Sequence, residues 1–160
     1  MPRRFHLFFA LGFLGLGIDQ ATKFWARSAL TEGAPVRWLW ENILGVELKY
    51  NYGASFSFAE NMTWLFSVLG VCAVVIIPFF VRESRLWNAC LALIWAGALG
   101  NLVDRLFSGA FGRGAVTDFI VYSSWFTGNV ADIFLFVGVL GLMILIVKQS
   151  LNGEEVAGDE

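Results

Sequence analysis

Four long apolar runs organise this chain: residues 5 to about 25, 62–81, 86–103 and about 125–147. Each approaches the roughly twenty residues that a helix needs to cross a bilayer core. The second and third contain no charged residue; the first carries Asp19 and Lys23 toward its end, and the fourth holds Asp132 in its first half. Pro78 falls near the end of the second run, where a missing backbone hydrogen bond is more easily tolerated. The intervening segments have a different period. In Val46-Glu-Leu-Lys-Tyr50 apolar and charged residues alternate, and Ser55-Phe-Ser-Phe58 alternates again, which predicts half-buried strands. A second connecting segment, residues 106–124, is rich in glycine (Gly109, Gly112, Gly114) and then turns apolar through Phe119-Ile-Val-Tyr122. The expected fold is an all-α integral membrane protein. It has four transmembrane helices, a small β-sheet at the outer face in the loop of residues 26–61, and a second outer loop at 106–124. Residues 1–150 form one domain, and the polar stretch 151–160 reads as a disordered tail.

Composition agrees with this pattern. The 160 residues are 58% hydrophobic and 15% charged, whereas soluble domains lie nearer half apolar and a quarter charged. A net charge of −2 with no basic patch points away from nucleic acid. Arg3-Arg4 followed by an apolar run imitates a secretory signal. No small-x-small cleavage site follows, however, so the run reads as an uncleaved first helix. Cys72 and Cys90 fall inside apolar runs and read as buried thiols. Four spans put both termini on one side. Arg3, Arg4, Arg82, Arg85 and Lys148 crowd the short segments there, which makes that side cytoplasmic. Trp38, Trp40 and Trp64 suit the headgroup region opposite.

This topology gathers the unusual polar residues at the outer boundary: Asp19 and Lys23, Asn51 and Gly53, Asn101, Asp104 and Arg105, Asp118, Asn129 and Asp132. Ionisable groups at such a boundary are costly to desolvate and point to a site. Asp19 and Lys23, four apart with the acid first, read as a structural ion pair. Asn101, Asp104 and Arg105 share a helix face, with Arg105 able to brace a carboxylate or carbonyls. Asn51-Tyr-Gly53 reads equally as a turn, Asn129 as a helix cap, and Asp118 as a turn or cap. Asp132, deeper in apolar sequence, resists a purely structural explanation. His6 is the only histidine and sits at the opposite face, which leaves no Ser-His or Cys-His arrangement at the outer boundary. No metal-ligand motif is present, and no cofactor is expected. Carboxylates are the available catalysts. Two further readings stand beside an enzyme: a proton-coupled transporter relaying through Asp19, Asp104 and Asp132, and a small scaffold subunit.

In the order of its motifs the chain resembles the lipoprotein signal peptidases (signal peptidase II), bacterial membrane aspartic proteases. Asp19-Gln-Ala-Thr-Lys23 matches the family's Asp-x-x-x-Lys, and Asn51-Tyr-Gly53-Ala-Ser-Phe56 its Asn-x-Gly-x-x-Phe. Gly100-Asn101-Leu-Val-Asp104-Arg105 matches Gly-Asn-x-x-Asp-Arg. Val116-Thr-Asp118-Phe119 and Asn129-Val-Ala131-Asp132 match the two segments that carry its catalytic aspartates. There is one departure: the family often has Phe before the last asparagine, where this chain has Gly128, and Phe126 would then supply the aromatic. The resemblance implies a monomer in the bacterial inner membrane with its active site near the outer face. Its substrate would be a prolipoprotein whose cysteine already carries diacylglycerol, and Asp118 and Asp132 would be the catalytic pair. Asp19, Lys23, Asn51, Gly53, Asn101, Asp104, Arg105, Asn129 and Ala131 would support them, and membrane lipids would be the surroundings.

Overall fold

The computed structural model describes residues 3–53, 63–108 and 113–157, with side chains to residue 151. Among these residues four helices are long and apolar enough to cross a membrane. They are α1 (Arg3–Ala29), α2 (Thr63–Ile76, prolonged by a 3-10 turn over Ile77–Phe80), α3 (Arg85–Phe107) and α4 (Val130–Ala157). The turn begins where Pro78 removes a backbone donor. Ser84 caps α3 by accepting the Trp87 N–H at 3.3 Å. α4 continues past its apolar stretch to Ala157.

α3 is the spine of the bundle: 56% of its span is buried, against 22% or less for the others. The remaining helices pack around it and turn their other faces outward. An aromatic cluster of Phe8, Trp87 and Trp95, with Leu91 and Val81, closes one half of the bundle. Gly12 lies against the Trp95 ring and Gly15 against Ala96, so these two glycines let α1 approach α3 closely. Gly17, on the same helix, has nothing within 4 Å. Cys90 is buried, but Cys72 is exposed on the outside of α2, contrary to its reading as a buried thiol.

The sheet is larger than the sequence pattern predicts. It has four antiparallel strands in the order β1 (Arg37–Trp40), β2 (Leu44–Asn51), β3 (Val116–Tyr122) and β4 (Phe126–Gly128). The first loop supplies only the first two. The second loop supplies β3 and β4, and Phe126–Gly128, counted above with the fourth span, is strand. β3 is buried along most of its length because it lies between the other strands and the helix ends, so its apolar run shows no alternation. Leu48 of β2 and Phe119 of β3 join Ala26 of α1 and Leu30 just beyond its end in a second core that seats the sheet on the bundle. The Ser55–Phe58 alternation, Phe56, Gly109 and Gly112 lie outside the described residues.

Candidate active site

Where α1, α3 and the start of α4 meet the sheet, the structure brings together a continuous layer of polar side chains. It contains two pairs of carboxylates. Asp19 and Asp104 form the first pair, with Lys23 between them: Nζ lies 3.0 Å from Asp19 and 3.4 Å from Asp104. Lys23 and Asp19 are fully buried. Asp19 also accepts the backbone N–H of Ala131 at 2.9 Å, which ties α1 to the first turn of α4. Asp104 accepts the backbone N–H of Thr117 at 2.8 Å, which ties α3 to β3. A side chain at Gly100 would collide with the Asp19 carboxylate, and one at Gly97 with the Ala131 carbonyl. The two glycines are what let three helices converge here.

Asp118 and Asp132 form the second pair, and their partners are amides. Asp118, 3% exposed in β3, accepts Asn129 Nδ2 at 2.7 Å on one oxygen and Asn51 Nδ2 at 2.9 Å on the other. Asp132, in the first turn of α4, accepts Asn101 Nδ2 at 3.0 Å and the backbone N–H of Asn129 at 3.1 Å. Asn129 Oδ1 in turn accepts the Asp132 N–H at 3.2 Å, so Asn129 is a helix cap and a bridge between the carboxylates at once. Lys23 donates to Asn101 Oδ1 at 3.0 Å, orienting that amide toward Asp132. Asn51 Oδ1 accepts the Gly53 N–H at 3.0 Å, and Gly53 has φ of 136°, a backbone conformation open to glycine. Asp19, Lys23, Asn51, Gly53, Asn101, Asp104, Asp118, Asn129, Ala131 and Asp132 therefore fall in or beside this layer.

The electrostatics follow from the partners. Burial drives the Asp118 carboxyl up to about 6, and the nearby Asp132 charge adds to the rise. The Asn51 and Asn129 hydrogen bonds and the more distant Lys23 pull the other way. Burial also raises the Tyr122 phenol, with the Asp132 charge adding to it.

Asp132 opens onto a groove of about 310 Å³ between α2, α3 and α4, walled by Phe66, Leu69, Leu102 and Leu135 and carrying Asn101 and Arg105. The Arg105 guanidinium lies over the Phe66 ring at 5.4 Å. Its buried Nε has no hydrogen-bond partner among the described residues. α2 thus contributes an aromatic wall, although its lack of polar residues left it out of the site expected from sequence. Gln20, Arg27 and Thr117 were missed as well. Gln20 Nε2 bonds Asp19 at 3.0 Å and the Gly100 carbonyl at 3.2 Å. Arg27 donates to Thr117 Oγ1 at 2.9 Å and lies 3.9 Å from Asp104. Arg27 follows Lys23 by one helical turn, a spacing that placed it on the same face.

Gly128 is explained by its neighbours. A Cβ there would come within 2.9 Å of Asp132 Oδ2 and 3.1 Å of the Phe126 ring. Phe126, stacked on Tyr122 with centroids 4.7 Å apart, covers the position instead.

A four-span bundle with a sheet at one end is the architecture of a known class of bacterial membrane enzymes. One solved member, at 2.3 Å resolution, superposes with a TM-score of 0.78 and 22% identity, covering 91% of this chain and 90% of that one. Another, at 1.9 Å resolution, gives a TM-score of 0.75. The family is visible in the sequence itself. The model of the signal peptidase II family matches residues 11–148. A lipoprotein signal peptidase of Bifidobacterium adolescentis is 38% identical over 96% of this chain and 83% of its own length. Its namesake from Tropheryma whipplei strain TW08/27 is 37% identical over 91% and 97%. This chain belongs to the signal peptidase II family, and it is a membrane peptidase.

Proposed function

We propose that the protein removes signal peptides from diacylglyceryl-modified prolipoproteins, cutting just before the lipid-modified cysteine at the outer boundary of the inner membrane. On this reading both termini are cytoplasmic and the enzyme acts as a monomer. Asp118 and Asp132 are the catalytic pair. Asn51, Asn101 and Asn129 orient them, Gly53 shapes the Asn51 turn, and Arg105 holds the substrate backbone. Asp19, Lys23, Asp104 and the Ala131 amide form the support beneath.

The observation that carries the reading is Asn129. One residue holds both carboxylates, by its side-chain amide on Asp118 and its backbone N–H on Asp132. On this reading the two carboxylates joined through Asn129 share one proton during the reaction. The ionised member takes a proton from water as the water oxygen attacks the scissile carbonyl carbon. The protonated member gives its proton to the carbonyl oxygen, forming a neutral gem-diol. The newly protonated carboxyl then protonates the departing nitrogen. The C–N bond breaks, the new carboxyl group forms on the signal peptide, and a gem-diol proton returns to the other aspartate. The apolar groove beside Asp132 suits an acyl or signal-helix segment, since its walls are aromatic and aliphatic.

Separate Asp118→Asn and Asp132→Asn variants test this. Each is incubated in detergent or vesicles with diacylglyceryl prolipoprotein, and cleavage is followed by gel mobility. Each should lose about 10²- to 10⁴-fold in rate while remaining folded. Full cleavage by either variant would refute the dyad.

A further inference from the structure

At the opposite end of the bundle a second polar cavity has no part in the reaction. It measures about 420 Å³ and is lined by Arg3, Arg4 and Leu7 of α1, Glu83 of the α2–α3 connection, and Arg85 and Asn88 of α3. Three arginines and one carboxylate line it. Glu83 is committed to Arg4 at 2.8 Å and is otherwise 86% exposed, so it neutralises little of the charge. The Arg4 Nε, buried, has no partner among the described residues. α3 begins at Arg85, which adds the positive end of a helix dipole at the cavity wall. Asn88 is already occupied by the Arg82 backbone, accepting its N–H at 2.9 Å and donating to its carbonyl at 2.7 Å. It therefore holds the connection in shape. Such a cavity retains an uncompensated positive charge that an anion would satisfy.

The surroundings choose the anion. Phe79 is 82% exposed, Phe80 53% and Leu86 61%, and Leu7 reaches into the cavity wall. Phe79 and Phe80 lie a few residues before Glu83, and Leu86 directly follows Arg85; a soluble phosphate would gain nothing from exposed apolar side chains next to the cavity-lining residues, whereas the acyl chains of a phospholipid would lie along them. We infer that the cavity formed by Arg3, Arg4 and Arg85 is a binding site for the phosphodiester headgroup of an anionic phospholipid, which clamps the start of α1 to the α2–α3 connection. Basic pockets between spans on the cytoplasmic side hold headgroups of this kind. The inference rests on this cavity and on the cytoplasmic placement of the termini proposed above, and is independent of the peptidase chemistry.

The test uses the full chain in phosphatidylcholine nanodiscs or neutral detergent, titrated with dioleoyl phosphatidylglycerol, dioleoyl phosphatidylcholine or inorganic phosphate. Native mass spectrometry reads lipid retention, and thermal melting reads stabilisation. Phosphatidylglycerol should be retained in preference to phosphatidylcholine and should raise the melting temperature; inorganic phosphate at equal concentration should not. The Arg3→Gln/Arg85→Gln variant leaves the Arg4–Glu83 pair intact. At about 1 kcal/mol per arginine it should bind phosphatidylglycerol roughly 25-fold more weakly. Glu83→Gln removes the competing anion and should bind more tightly. Equal retention of both lipids by the wild type, unchanged affinity in the double variant, or an equal effect of inorganic phosphate would each overturn the inference.

Discussion

Asp19 and Asp104 are surrounded by cations, whereas Asp118 and Asp132, in the same polar layer, are held by amides. Lys23 lies within 3.4 Å of both members of the first pair, and Arg27 adds a second positive charge beside Asp104. The second pair is held by Asn51, Asn101 and Asn129, which orient a carboxylate without cancelling its charge. One protein thus uses four acids of one polar layer for two purposes. A carboxylate that meets the full positive charge of a buried lysine serves as a bolt between helices. One held by neutral donors keeps its proton negotiable, because burial and a like charge nearby oppose ionisation. The Asp118 carboxyl, raised to about 6, behaves as the second kind.

The sharpest way to break this comparison is to remove the bolt. Lys23→Met leaves Asp19 and Asp104 buried with no cation at contact distance except Arg27, and should cost about 3–5 kcal/mol. The expected result is lost expression or a collapse of the melting temperature in detergent. Adding Asp104→Asn should recover part of the loss. Asp118→Asn should do neither, and a comparable loss of stability there would erase the distinction.

The next effect is a dependence on pH. The folded Asp118 titrates at about 6 and its ordinary value is 3.8. Across that window the folded state keeps a proton that the unfolded chain has released, so stability falls as pH rises from 4 to 6 and is flat above. The whole swing is about 3 kcal/mol. Asp118→Asn lacks this slope, so its stability relative to wild type should climb between pH 4 and 6. Melting curves of both proteins read the difference; parallel curves would remove the titration from Asp118.

A smaller effect is expected at the bridge. Asn129→Ala frees one oxygen of Asp118 from its donor but keeps the backbone N–H on Asp132. Losing that buried hydrogen bond is worth about 1–3 kcal/mol, or roughly 5- to 150-fold in cleavage rate. Lost cleavage should come through kcat more than KM, since the amide aligns the dyad and not the substrate. Smallest of all is Gly128→Ala. Its methyl group would press on the Asp132 carboxylate and the Phe126 ring, and a cost of about 1 kcal/mol should appear as a several-fold fall in rate. Pairing it with Phe126→Leu should restore part of the activity if crowding by the ring is the cause.

The helical half of the molecule was legible from the apolar runs alone. The lipid core leaves a helix no choice but to satisfy its own backbone, so twenty apolar residues translate almost directly into a span. The outer sheet was half legible. β2 shows the alternation of a strand with one face buried, whereas β3 is covered on both faces and reads as a plain apolar run. β4 is three residues long and merged with the fourth span in the hydropathy pattern. Among the site residues, Asp19 and Lys23 carried a local signature in their four-residue spacing. Gln20 and Arg27 lay on or near the same helix and went unnoticed, because polar residues near a span end are common and only their distant partners give them meaning.

By itself the sequence determined the number of spans, the gathering of acids at one boundary and the family motifs, because each depends on local composition or order. Which acids are neutralised was decided only in three dimensions. Asp19 meets Ala131 across 112 positions, Asp104 meets Thr117 on another element, and Asp118 meets Asn51 across 67. Close helix approach at Gly97 and Gly100, together with the pairing of β2 with β3, sets those encounters. The chemistry of a buried carboxylate depends on what lies within a few ångströms of it, and that distance belongs to the fold.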